Sequence, residues 1–288
     1  MKRAMVILAA CLALAAAPAA RAAETLHFVV MAPLDAEKER PRYEALGEYL
    51  RSVNPLLGDI KLRIAKDYPE AARLFKQGDV EGMFSGSFVA AVFIAKGLAK
   101  PVARPLAANG GSTYHASIVA KEGTKPFGGV DDLRGRRVAF TPLASAGEVF
   151  LRGLLAPGDA PESVWTPVPV ASHQAALEAV AAGTADYAVV KSTVFSPTER
   201  PGLALVGSGA EEHPDNTFIM PPVVFEKVGA LIAKALLGLE ADTGEKAEAA
   251  RRAFGCKGFV ATTGMDFAPT FAVLRKARVD PKAFDFSF

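Results

Sequence analysis

The side chains best placed to do chemistry lie in one stretch. Val138 to Leu155 reads VAFTPLASAGEVFLRGLL, an apolar strand, a proline, a small-residue turn and an amphipathic helix. Ser145 and Glu148 have capping-box spacing, in which the serine oxygen accepts from the Glu148 N–H and the carboxylate bonds back. A helix start just after a strand also offers free N–H groups to an anion. The turn therefore has two readings. In one it caps itself, with Glu148 in the first turn stabilised by the helix dipole by about 0.3–1 kcal/mol. In the other, Ser145, Ala146 and Gly147 touch an anionic or strongly polar ligand group. His173, at the start of a later helix, is the natural second donor. Tyr68 and Tyr114 are either cleft walls or packing residues, and Lys191 is either a ligand-facing charge or a surface lysine. Ser145 and His173 could form a nucleophile–base pair, but there is no Gly-x-Ser-x-Gly elbow. We expect binding, not catalysis, with no cofactor.

The elements that must position these groups sit within a 288-residue chain, 50% hydrophobic, with 33 basic and 31 acidic residues. It opens MKRAMVILAACLALAAAPAARA, the pattern of a secretory signal peptide over residues 1–22. Cys11 also fits a lipoprotein box, a second way to place the protein in the periplasm. Removing that segment takes away Lys2, Arg3 and Arg21 and leaves the charges near balance. No other long apolar run suggests a membrane span. The densest basic run, Arg134-Gly135-Arg136-Arg137, reads as a solvated turn, and without clustered basic charge we expect no nucleic-acid partner. Cys256 is then the one cysteine left, so no disulfide and no cysteine-based metal site is expected.

Apolar runs and turn residues alternate as strand and helix, which points to α/β. Strands are expected at Leu26–Met31, Ile60–Ala65, Gly82–Ser85, Tyr114–Lys121, Val138–Phe140, Trp165–Val170, Tyr187–Val190 and Ala204–Val206. Helices are expected at Tyr43–Val53, Pro69–Gln77, Phe88–Lys96, His173–Ala182, Phe225–Leu239 and Lys246–Phe254, with a last short one after it. An internal echo pairs RLFKQGDVEGMF with EAVAAGTADYAV. Both read helix, Gly, two residues, acid, strand, which suggests two related lobes. The expected division is residues 23–112 plus 194–288 for one lobe and 113–193 for the other. Crossovers are expected near Ser112–Tyr114 and Lys191–Thr193, with a ligand cleft between the lobes.

Asp67-Tyr68, Gly78-Asp79-Val80-Glu81, Tyr114 with Ser117-Ile118-Val119-Ala120, "DDLRGRRVAF" over 131–140, Ser145-Ala146-Gly147 and Ser172-His173 follow in an order that resembles the periplasmic substrate-binding proteins of phosphate/phosphonate-type ABC importers. The resemblance implies a type II periplasmic-binding-protein fold: two α/β lobes, each a mixed sheet flanked by helices, joined by two crossover segments. It implies a monomer that captures a small anionic, phosphonate- or phosphate-like ligand for an ABC permease in the inner membrane. In the family, a Ser-Thr-Ser-Gly helix start holds the phosphonate oxygens; by position that is Ala144-Ser145-Ala146-Gly147 here, with two hydroxyls missing. The upstream Asp-Pro becomes Thr141-Pro142, and a family aromatic falls near Ser85. Asp215 corresponds to an acid that meets a substrate amine in some members. The thinned turn leaves an alternative: a periplasmic sensor or accessory protein with a re-tuned ligand such as a sulfonate or carboxylate.

Overall fold

In the computed structural model, residues 24–31 and 33–288 are described; the signal-peptide reading and Cys11 lie outside them. The apolar LHFVV run forms β1 (Glu24–Met31), parallel to β2 (Leu57–Ala65), with Leu26 opposite Ile60 and Met31 opposite Ala65. The helix between them, α1 (Pro33–Val53), starts well ahead of the expected Tyr43. Its first half is polar and contains Pro41, so it lacks an apolar stripe; ion pairs one turn apart, Arg40–Glu37 at 2.9 Å and Arg42–Glu39 at 2.8 Å, support it instead. Its second half buries Tyr43, Leu46, Tyr49 and Leu50. Asp67 caps α2 (Tyr68–Gln77) by accepting from the Glu70 N–H at 2.8 Å, and Gly78, at φ 70°, closes it. There follow β3 (Met83–Ser85), the almost wholly buried α3 (Ser87–Ala95) and β4 (Lys100–Leu106).

The chain then crosses to a second sheet. After β5 (Thr113–Tyr114) it continues as β6 (Ala116–Lys121), so the expected single strand breaks at His115. Next come β7 (Arg136–Phe140), a π-turn at Ser145–Val149, α4 (Phe150–Arg152), α5 (Pro161–Val164), β8 (Trp165–Pro169), α6 (His173–Ala181), β9 (Tyr187–Lys191) and β10 (Leu203–Ser208). The sheet order is β10-β6-β9-β7-β8, with β8, β7 and β9 mutually parallel. This moves the expected boundary at 193/194. β6 is buried along nearly its whole length, so its outer edge needs a partner, and β10 supplies it antiparallel. The return crossing is at β11 (His213–Pro214), not at Lys191–Thr193; β11 pairs antiparallel with β5, Tyr114 opposite His213, so the two crossovers form one ribbon.

Back in the first lobe lie β12 (Thr217–Met220), α7 (Pro222–Val224), a π-turn at Phe225–Gly229, α8 (Ala230–Gly238), α9 (Glu245–Phe254), β13 (Gly258–Ala261) and α10 (Ala268–Lys276). The sheet order is β13-β4-β12-β3, and a parallel bridge between Phe28 and Gly82 ties β1 to it. Gly82 lies so close to β12 that a Cβ there would stand 2.6 Å from the Ile219 carbonyl.

The sequence echo has a structural counterpart. Glu81 accepts from the His27 N–H of β1 while its own N–H donates to the His27 carbonyl at 2.9 Å. Asp186 accepts from the Arg137 N–H of β7 at 2.8 Å and donates to the Arg137 carbonyl at 2.8 Å. In both lobes the acid after the helix-closing glycine joins the incoming strand to the strand beside it.

Candidate functional site

In α/β sheets the loops beyond the carboxyl ends of parallel strands face the binding crevice. In the second lobe three such ends lie side by side: β7 runs into Thr141 and the Ser145 turn, β8 leads to His173, and β9 ends at Lys191. In the first lobe β2 leads to Tyr68 and β3 ends at Ser85. The crossovers carry Tyr114 and Asp215 between the two sets.

The Ser145 turn is not self-capped. Ala144 occupies the cap position, Ser145 has already entered the π-turn, and no side chain caps it. Ser145 Oγ is buried and faces the Tyr114 hydroxyl without making a hydrogen bond of normal geometry to any group. Glu148 turns the other way, accepting from Arg152 at 2.8 Å and from the Leu143 N–H at 3.3 Å. The cause lies in Gly147, whose φ of −119° and ψ of −112° fold the turn back onto β7. A Cβ there would sit 2.9 Å from the Thr141 carbonyl, so this glycine permits a close approach of the chain to itself. Ala146 is fully buried as core.

Two more polar atoms are stranded near this turn. Thr141 Oγ1 and His173 Nδ1 are buried and have no hydrogen-bond partner among the described residues. Ser172 caps α6 by accepting from the Ala175 N–H at 3.1 Å, which leaves His173 to point its ring elsewhere. Burial lowers the His173 pKa to about 4, and the neighbouring Lys191 pushes the same way against Asp215, so the ring is neutral at pH 7. Buried polar atoms normally have partners, and each orphan needs an explanation. Three of them at adjacent strand ends make a set of neutral hydrogen-bonding groups.

Lys191 pairs with Asp215, and its Nζ stands 4.5 Å from the centroid of the Tyr114 ring. Tyr114 is 1% exposed, and burial raises its pKa. The Ser87 hydroxyl lies 2.9 Å from that of Tyr114 and donates to the Pro214 carbonyl at 2.5 Å.

Beside this buried set opens a cleft of about 810 Å³. Tyr68, Ser85 and Asp215 line it; Tyr114, Ser145, Ala146, Gly147, His173 and Lys191 do not. Tyr68 stacks on Phe286, with ring centroids 5.8 Å apart. The acidic and basic side chains of the cleft all have partners: Arg42 with Glu39 at 2.8 Å, His115 with Glu212 at 2.8 Å, and Asp215 with Lys191 from outside the lining. Cys256 is a free, buried thiol at the cleft wall. Arg42, Glu39, His115 and Glu212 were not singled out in the sequence, where they are ordinary charges in polar segments. Thr141 had two signals, its place directly after an apolar strand and its match by position to the family's upstream Asp-Pro. Among the described residues no group of His, Cys, Asp and Glu could hold a metal ion, and no helix is long and apolar enough to cross a membrane.

The model of a family described as ABC transporter, phosphonate, periplasmic substrate-binding protein matches residues 28–267. Solved structures share the fold. A binding protein component of an ABC phosphonate transporter from Pseudomonas aeruginosa is 14% identical, with 88% of this chain and 87% of that one covered and a TM-score of 0.68. PhnD1 from Prochlorococcus marinus, solved with methylphosphonate, is 14% identical, with 88% and 98% covered and a TM-score of 0.68. XAC2383 from Xanthomonas citri, solved with chloride, is 16% identical, with 88% and 97% covered and a TM-score of 0.67. No curated protein sequence matches.

Proposed function

The chain belongs to the periplasmic substrate-binding proteins of ABC phosphonate transporters, and we propose that it holds the oxyanion end of a small ligand against Thr141, Ser145 and His173 and hands that ligand to an ABC permease. One observation carries this reading: three buried polar atoms, Thr141 Oγ1, Ser145 Oγ and His173 Nδ1, lie at or just beyond the carboxyl ends of adjacent parallel strands without a hydrogen bond of normal geometry among the described residues. Leaving such groups unpaired costs about 1–3 kcal/mol each, and a ligand oxygen that satisfies them recovers it. The work is binding and closure, not bond making. Both lobes contribute walls to the cleft, Tyr68 and Ser85 from one and Ser192 and Thr193 from the other, so the ligand stabilises the arrangement in which they meet.

The charges argue for a singly charged ligand end. His173 is neutral, and the cations nearest the cleft, Arg42 and Lys191, already have carboxylate partners. Neutral donors suit a monoanion better than a dianion, whose second charge would stay unmatched. The same feature supports the second reading, a sensor or accessory protein for a sulfonate or carboxylate.

The test is a thermal-shift panel on residues 23–288 with phosphate, phosphite, methylphosphonate, 2-aminoethylphosphonate, alkylsulfonates and small carboxylates. A ligand at about a hundred times its Kd adds roughly 2.7 kcal/mol of stability, several degrees in midpoint for a protein of this size. A shift with methylphosphonate supports capture of phosphonates. A shift with a sulfonate or carboxylate alone moves the protein to the second reading, and silence across the panel overturns oxyanion binding.

A further inference from the structure

Asp215 lines the cleft, with 23% of its side chain exposed. A free carboxylate there would attract any cationic group that a ligand carried. This carboxylate is not free. Lys191 reaches it from the end of β9, on the second lobe, while Asp215 follows β11 on the return crossover. The Lys191 side chain is 13% exposed and does not line the cleft. Its ammonium lies 4.5 Å from the Tyr114 ring centroid and has Asn216 Oδ1 at 3.5 Å. Lys191 is therefore held by an ion pair and a ring face at once, both strengthened by partial desolvation.

A tethered ammonium is present at a high effective concentration that a free amine cannot match at ordinary ligand levels. A ligand ammonium entering beside Asp215 would have to displace Lys191 or sit next to a like charge. Specificity of this kind uses a repulsive element as well as an attractive one.

We propose that Lys191 is a specificity residue: it is the built-in counter-ion of Asp215, and it makes the protein reject oxyanions that carry an ammonium group while accepting those with an uncharged tail. The proposal rests on the oxyanion reading above, and it narrows the ligand class to compounds such as methylphosphonate, against aminoalkylphosphonates.

The experiment is calorimetric titration of methylphosphonate and 2-aminoethylphosphonate into the wild-type protein, Lys191→Met, and the double variant Lys191→Met/Asp215→Asn. Wild type should prefer methylphosphonate by about tenfold or more, a gap of about 1.4 kcal/mol. Lys191→Met frees Asp215 and should move the ratio of the two Kd values by about tenfold toward the amine. The double variant leaves no unpaired charge, so it serves as the folded control should Lys191→Met unfold, and its two Kd values should agree within about threefold. A wild type that binds the amine as well as methylphosphonate overturns the proposal, as does either folded variant that keeps the wild-type ratio. Each of those results leaves the oxyanion reading standing. Wild type that binds neither compound overturns the proposal together with phosphonate capture.

Discussion

Ser87 and Tyr114 meet hydroxyl to hydroxyl at 2.9 Å, joining the first turn of a first-lobe helix to the crossover ribbon. Ser87 also donates to the carbonyl of Pro214, on the other crossover, at 2.5 Å. One buried serine thus fixes both strands of the ribbon relative to α3. Ser87→Ala leaves the Pro214 carbonyl and the Tyr114 hydroxyl short of a partner inside the protein. The expected loss is about 1–3 kcal/mol of stability, read from urea unfolding of the unliganded protein.

The Ser145 turn predicts the opposite balance. Its hydroxyl faces that of Tyr114 and makes no hydrogen bond of normal geometry among the described residues, so Ser145→Ala should change unfolding stability by no more than about 0.5 kcal/mol. The same substitution should weaken methylphosphonate binding by about 1–3 kcal/mol. Thr141→Val should behave alike. Calorimetry and urea unfolding on the same preparations separate the two effects; equal losses in both would make these hydroxyls structural.

Glu148 should matter little to the ligand. Its carboxylate is engaged with Arg152 and the Leu143 N–H, away from the Ser145 hydroxyl. Glu148→Gln should change the methylphosphonate Kd by less than about threefold, in keeping with a partly exposed ion pair worth about 1 kcal/mol or less. A large gain in affinity would mean that the carboxylate repels the anion directly.

Two histidines set the acid response. Burial lowers the pKa of both His173 and His213 from 6.5 to about 4. The unfolded chain therefore binds protons near pH 6.5 that the folded chain refuses until about pH 4. Stability is complete above pH 6.5 and is lost as pH falls from 6.5 toward 4, at up to about 1.4 kcal/mol per pH unit for each histidine. Urea unfolding at pH 7.5, 5.5 and 4.5 should follow this slope, and His173→Gln should make it shallower.

Residue pattern carried the outline of the fold further than it carried the site. LHFVV and VAF are apolar runs that can only be inner strands, and Gly78 and Gly183, at φ 70° and 74°, close helices where expected. The start of α1 was hidden because ion pairs, not an apolar stripe, support it. The second-lobe boundary was hidden because β10 looks like any short strand until the uncovered edge of β6 is known. At the site, Ser145 and Glu148 matched a capping box in spacing. The backbone at Gly147 is not helical, and no spacing rule encodes that. Nor does local sequence bring Lys191 and Asp215 together, since they meet only after the chain has formed β10 and turned back along β11.

That late return has a consequence for how the protein is built. The second lobe is one unbroken run from β6 to β10, and all of its sheet partners lie within it. The first lobe is assembled from both ends of the sequence, with Arg104 of β4 paired to Val260 of β13. Contacts between distant positions carry a larger loop-closure cost and form slowly. A chain emerging in order from its first residue can therefore complete its second lobe while β4 still waits for its partners β12 and β13. The strand that arrives last, β13, is the one that completes the first-lobe sheet.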